Sequence, residues 1–136
     1  ICRRILRRVS IVAGITNYLE NKLLDHVLRG SSGAYTGPTT VYLALYSAAP
    51  NDAGGGTEIG VTRQSVTFSA ASGGTIANSG SISFSSMPAV TVSHVGVFDA
   101  STSGNLLFHG ALTSSAAVAD GDTFTIQAND LQISLD

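Results

Sequence analysis

Residues 90–113, VTVSHVGVFDASTSGNLLFHGALT, decide the fold. Val90, Val92, Val95, Val97 and Phe98 form one apolar run, and Leu106, Leu107, Phe108, Ala111 and Leu112 form another. The intervening 99–105, DASTSGN, is small and polar, with Gly104 and Asn105 suited to positive φ. The pattern predicts a long β-hairpin. Neither run alternates cleanly, so both strands belong mid-sheet with both faces covered.

Outward from the hairpin, 40–46 (TVYLALY) is apolar on both faces and reads as another central strand. Residues 48–60 form a long loop, because three consecutive glycines at 54–56 resist regular structure. A strand over 61–69 puts Val66 and Phe68 on one face, with Arg63, Ser65, Thr67 and Ser69 on the other. Short strands follow at 75–78 and 81–85, the second burying Ile82 and Phe84 between serines. Asp120 and Gly121 mark a turn. Beyond it, 123–128 directs Phe124, Ile126 and Ala128 inward, and Leu131, Ile133 and Leu135 alternate strictly. A turn at 127–130 makes these last two strands a hairpin.

Before the strands comes a helix over 18–29. Asn17 is its cap and Glu20 the reciprocal partner three residues on. Leu19, Leu23, Leu24, Val27 and Leu28 form one apolar stripe. His26 and Arg29 lie in the last turn, where the helix dipole favours cations, and Gly30 follows as the C′ residue. The stripe covers the sheet or docks on another subunit. The expected fold is all-β: an antiparallel β-sandwich, jelly-roll-like, of about eight strands at roughly ten-residue spacing, preceded by one amphipathic helix. No helix-length pattern separates the strands, which excludes a parallel α/β sheet.

The 136 residues make one globular domain over 13–136, divided into the helix at 13–30 and the sandwich at 31–136. Residues 1–12 read as a non-native or disordered extension. ICRRILRRVSI is basic but lacks the apolar core and cleavage site of a signal peptide. Val12 precedes AGITNYLENK, which has the look of a protein start, so initiation at a non-Met codon there is the expectation. No apolar run approaches the roughly 20 residues that cross a bilayer, and the chain is expected to have no membrane partner.

The net charge of −2 hides an asymmetry. Beyond Arg3, Arg4, Arg7 and Arg8, only Lys22, Arg29 and Arg63 face nine acids, a balance of −6. Such a body offers no surface for tracking phosphates, which argues against nucleic acid. The lone Cys2 excludes an internal disulfide framework.

Reactive motifs are scarce. G-x-S-x-G is missing, since Gly30-Ser31-Ser32-Gly33 has the wrong spacing, and there is no Gly-Lys pair for a phosphate loop. His94 and His109 lie on adjacent strands and, with Asp99, are the candidates for a metal or acid–base cluster; backbone-bonded strand histidines are the alternative favoured. Asp120-Gly121-Asp122 and the pair Asp52 and Glu58 resemble calcium loops only loosely, and solvated turns are preferred. No catalytic, cofactor-binding or metal-binding residue is therefore assigned, and the chain is read as non-enzymatic without a cofactor. Tyr35, Tyr42 and Tyr46 are the aromatic candidates for a glycan platform, with Tyr42 or Tyr46 expected in the core.

Four stretches together carry a family resemblance: AGITNYLENKLLDHVLRG, PTTVYLALYSAAPNDAGGGTEI, TRQSVTFSAASGGTIAN and HVGVFDASTSGNLLFHGALT. In this order they resemble small tailed-bacteriophage virion proteins of the tail-fibre-like or minor structural kind. The resemblance covers nearly everything from Ala13 onward. It departs from the pattern at the short EIGVTR before Arg63 and at MPAVTVS, which has no Trp. It implies a virion component, assembled in the bacterial host cytoplasm, that packs against other virion proteins and copies of itself. The alternatives are a carbohydrate-binding or host-receptor module, with a host-surface glycan as partner, and a capsid decoration protein. The family implies no catalytic residues.

Overall fold

A computed structural model describes residues 3–12 and 14–135. In chain order the elements are β1 (Arg4–Leu6), β2 (Val9–Val12), helix α1 (Asn17–Leu28) and a 3-10 turn (Gly30–Gly33). Strands β3 (Val41–Ala48), β4 (Thr57–Glu58), β5 (Gln64–Val66), β6 (Thr75–Ala77) and β7 (Ile82–Phe84) follow. The chain ends with β8 (Val90–Phe98), β9 (Leu106–Val118), β10 (Thr123–Ile126) and β11 (Leu131–Ser134). The architecture is the all-β sandwich expected from the sequence, with one short helix near the N-terminus.

The β8–β9 hairpin forms and lies mid-sheet. The larger sheet runs β4-β3-β8-β9-β2-β11-β6, with β5 also paired to β3. The smaller runs β1-β10-β7. Both sheets line one core. Val9, Leu43, Leu45, Val92, Val95 and Leu131 enter it from the larger sheet, and Ile5, Ile82, Phe84, Phe124 and Ile126 from the smaller. Phe84 and Phe124 meet there as a tilted ring pair 6.4 Å apart, a geometry that suits the opposed edge and face charges of two rings. Gly96 is where the hairpin's outer face comes close to its neighbours. A Cβ there would stand 2.7 Å from Leu106 Cδ1 and 2.9 Å from Tyr46 Cε2.

Three expectations change. First, residues 3–12 of the segment read as a non-native or disordered extension form β1 and β2, strands of the two sheets, while residues 1 and 2 lie outside the described residues. Their alternation explains this, since Ile5 and Val9 are buried while the arginines lie outside the core. Secondly, β10 and β11 are not a hairpin. The turn between them, closed by Asp130 N–H donating to Gln127 O at 3.0 Å and with Asn129 at φ 68°, carries the chain from one sheet to the other. Ala128 is accordingly exposed. Thirdly, the long strand over 61–69 contracts to β5, with Phe68 held by an isolated bridge to Asn78.

The helix forms over Asn17–Leu28, but its cap is Thr16. Thr16 Oγ1 accepts from Leu19 N at 3.4 Å and donates to Leu106 O at 2.6 Å, so the same hydroxyl caps the helix and fastens it to β9. Gly30 takes φ 61° just beyond the helix end, as its C′ position requires.

Candidate interaction surfaces

The helix stripe does not cover the sheet. Of its five apolar residues only Leu19 is buried; Leu24 is 57%, Val27 71% and Leu28 75% exposed. The helix is fastened at its first turn, and its last two turns present an apolar face. At its far end the Tyr35 N–H donates to His26 Nδ1 at 3.0 Å, which folds the following linker back onto the helix. His26 is thereby a backbone acceptor.

The polar clusters brace loops. Arg63 is the centre of one. Its Nε and Nη2 donate to the two carboxylate oxygens of Glu58, each at 2.9 Å, and its Nη1 donates to Ala100 O at 3.0 Å and Ser103 O at 2.8 Å. Its side chain is only 8% exposed. One residue thus ties the loop beyond β4 to the tip of the main hairpin. The sequence places Arg63 on the polar face of a strand, opposite Val66 and Phe68. The one signal that could have singled it out was a body cation five residues from an acid.

The hairpin tip has its own clamp. Both Asp99 oxygens are taken by Asn105, one by its backbone N–H at 2.7 Å and the other by its side-chain amide at 2.8 Å. His94 and His109 share a face two positions apart, since His94 pairs with Ala111 and His109 with Gly96. They do not join. His94 Nδ1 contacts Ser93 Oγ at 2.9 Å, and His109 Nε2 contacts Asp52 Oδ1 at 2.8 Å. Asp52 O also accepts from Asn17 N at 3.1 Å, so the glycine-rich loop docks on the helix start and on β9 together. Asp52 and Glu58 therefore have separate partners. Asp122 is buried, with one oxygen accepting from Ala119 N and the other from Arg3 N, both at 2.9 Å. Among the described residues no three His, Cys, Asp or Glu side chains converge as a metal site would require.

Two of the surface hollows lie beside these elements. One, of about 440 Å³, lies where the helix start, the glycine-rich loop and the hairpin tip meet, with Tyr18, Asp52, Phe98 and Asn105 on its walls. Tyr46 forms part of its floor but is only 3% exposed. Burial, with the Glu58 charge adding and Arg63 opposing, pushes its hydroxyl pKa up to about 12. A ring so covered offers no open face to a sugar. The other hollow, of about 350 Å³, is almost wholly apolar and is lined by Val41, Phe68, Ile76, Phe108, Ile133 and Leu135.

The result is an all-β sandwich in which parallel ladders at β1–β10 and β2–β11 make both sheets mixed rather than purely antiparallel, with the polar clusters occupied in loop bonds and an apolar helix face exposed. Residues 14–134 match the family model described as Podophage GP4 fiber I protein gp80, and the chain belongs to that family. It is thus a phage fibre protein by family, and a virion component. No curated protein matches the sequence.

Proposed function

We propose that the chain is a non-enzymatic virion structural protein that works by packing against its neighbours through the outer face of α1. The exposure of Leu24, Val27 and Leu28 carries this reading. These side chains are grouped on one helix and contribute nothing to the core of their own domain. Large apolar side chains grouped in water mark a contact surface, and where copies of one chain meet through such a face the oligomer is usually closed and symmetric. The family supports the setting, since a fibre protein meets other virion components.

The test is the variant carrying Leu24→Glu, Val27→Glu and Leu28→Glu. Sedimentation of the wild-type chain should show an oligomer, and the variant should be a monomer with an unchanged melting curve. The variant should also fail to enter particles in a complementation assay. Equal sedimentation together with normal incorporation would remove the helix face from the assembly. Gold labelling of intact particles is expected at the tail; label over the head would favour capsid decoration instead.

A further inference from the structure

Strand β2 fills a slot that the rest of the chain leaves open, and β1 adds an edge strand to the smaller sheet. Among the described residues, every ladder between body strands is antiparallel, and the two parallel ladders are those of the arm: β1 with β10, and β2 with β11. Strand β2 also joins β9 to β11. Without it the larger sheet divides into a β3-β8-β9 block and a β11-β6 block, each with an unpaired edge facing the other. The family match begins at residue 14. The slot thus lies inside the matched domain, and the strand that fills it lies outside.

The fit between arm and slot is one of charge as well as shape. The arm carries four arginines and the body a balance of −6. Arg3 Nε stands 3.4 Å from Asp122 Oδ2, and Arg8 Nη2 stands 3.1 Å from Asp130 Oδ1. Ile5 is buried between these two hooks, and Val9, next to the second, is fully buried. The arm is also imperfectly matched to its own body. Arg7 Nε is buried without a hydrogen-bond partner. Val9 pairs with Leu112 and Ile15 with Phe108, so the chain advances six positions from Val9 while its partner on β9 moves back only four. The arm therefore leaves β9 part-way and follows β11 instead.

We propose that this slot is a strand-acceptor site, and that in the assembly it receives residues 3–12 of a second copy of this chain. The backbone pairing, the Val9 pocket and both acidic hooks are identical whichever copy supplies the strand. Exchange of identical elements is a low-cost route to oligomers, and an added strand gains affinity from main-chain bonds while alternate side chains give specificity. Here the specificity elements are the apolar Ile5 and Val9 and the flanking Arg3 and Arg8. The proposal extends the packing reading to a second surface and rests on it only in that copies must meet.

Crosslinking of full-length chains tests it. In a Cys2→Ser background, Val9→Cys in one chain and Leu112→Cys in the other place a thiol on each partner of one register pair. Mixed, refolded together and oxidised, the two should give a covalent heterodimer on a non-reducing gel. Since Val9 is buried and its variant could fold poorly, a second pair uses exposed charges: Arg8→Glu mixed with Asp130→Lys should form a one-to-one complex by native mass spectrometry, in excess of either variant alone. A wild-type oligomer that gives neither the crosslink nor the charge-matched complex would overturn strand exchange and leave the helix reading intact. A crosslink that persists with Leu24→Glu, Val27→Glu and Leu28→Glu added would support exchange independently of the helix. Monomers throughout, with no crosslink, would overturn the proposal.

Discussion

The guanidinium of Arg63 lies 3.5 Å above the ring centre of Phe98. The same group grips Glu58 and two carbonyls of the hairpin tip. A planar cation on an aromatic face with a bidentate carboxylate partner is a geometry that Lys cannot copy. Arg63→Ala is expected to destabilise the fold by about 2–3 kcal/mol, since it leaves Glu58 and the tip carbonyls without their donor. Arg63→Lys should recover less than half of that. Urea melts followed by circular dichroism measure both, and equal stability of Lys and Arg at this site would contradict the stacked, forked geometry.

The Tyr46 hydroxyl predicts an alkaline limit. Its pKa rises from 10.0 to about 12 in the fold. Between those values the unfolded chain has released the proton and the folded chain still holds it, so stability must fall as pH rises. Below pH 10 the contribution is fully present. Tyr35 is also raised by burial, so absorbance titration should show Tyr46 as the last tyrosine to ionise, and Tyr46→Phe should remove that latest phase and flatten the alkaline loss of stability. A titration in which all four tyrosines ionise together near their ordinary value would contradict it.

What the sequence disclosed, and what it withheld, follows the range of the interactions. The hairpin over 90–113 was legible because its two apolar runs and its turn are neighbours in the chain, and the TVYLALY strand because both its faces are apolar. The helix was legible from its spacing, but Thr16 and Asn17 are adjacent capping residues, and on side-chain preference alone Asn17 is the better one. Only the bond from Thr16 to Leu106 O, ninety residues away, decides between them. The pairing of the arm was not legible, because a basic run looks like a tail until its partners are known, and those partners lie more than a hundred residues on. The histidine pair was placed on the correct adjacent strands. Asp52, which takes His109, comes from a loop whose three glycines gave no hint of where it would lie.

Asp122 predicts an acid limit. Hydrogen bonds from Ala119 and Arg3, with the Arg3 charge, hold its carboxyl below the ordinary carboxylate value. The folded state keeps the charge while the unfolded state takes up a proton, so this contribution is present above pH 4 and is lost as pH falls through the lower folded value. Asp122→Asn should reduce the acid sensitivity of the melt and increase hydrogen exchange at the Arg3 and Ala119 amides. Exchange unchanged at Arg3 would mean that the carboxylate does not hold the arm.

Gly104 sits at φ 75° in the hairpin tip, a conformation that L side chains resist. Space is short as well: a Cβ would stand 2.5 Å from Asp99 Oδ1 and 2.7 Å from the Ala100 Cβ. The first of these is the oxygen that accepts the Asn105 N–H. Gly104→Ala should therefore cost about 1–3 kcal/mol, from the strained backbone and from the displaced clamp. The loss should be local in its origin, with exchange protection falling first at Asn105. Ser101→Ala, at an exposed position in the same loop, serves as the control and should stay within about 0.5 kcal/mol of wild type. The Arg63 staple makes the tip part of the body, through Ala100 O and Ser103 O, so damage at Gly104 should also lower the stability lost in Arg63→Ala. A double-mutant cycle reads this directly. Strict additivity of Gly104→Ala and Arg63→Ala would show that the clamp and the staple act on the tip independently.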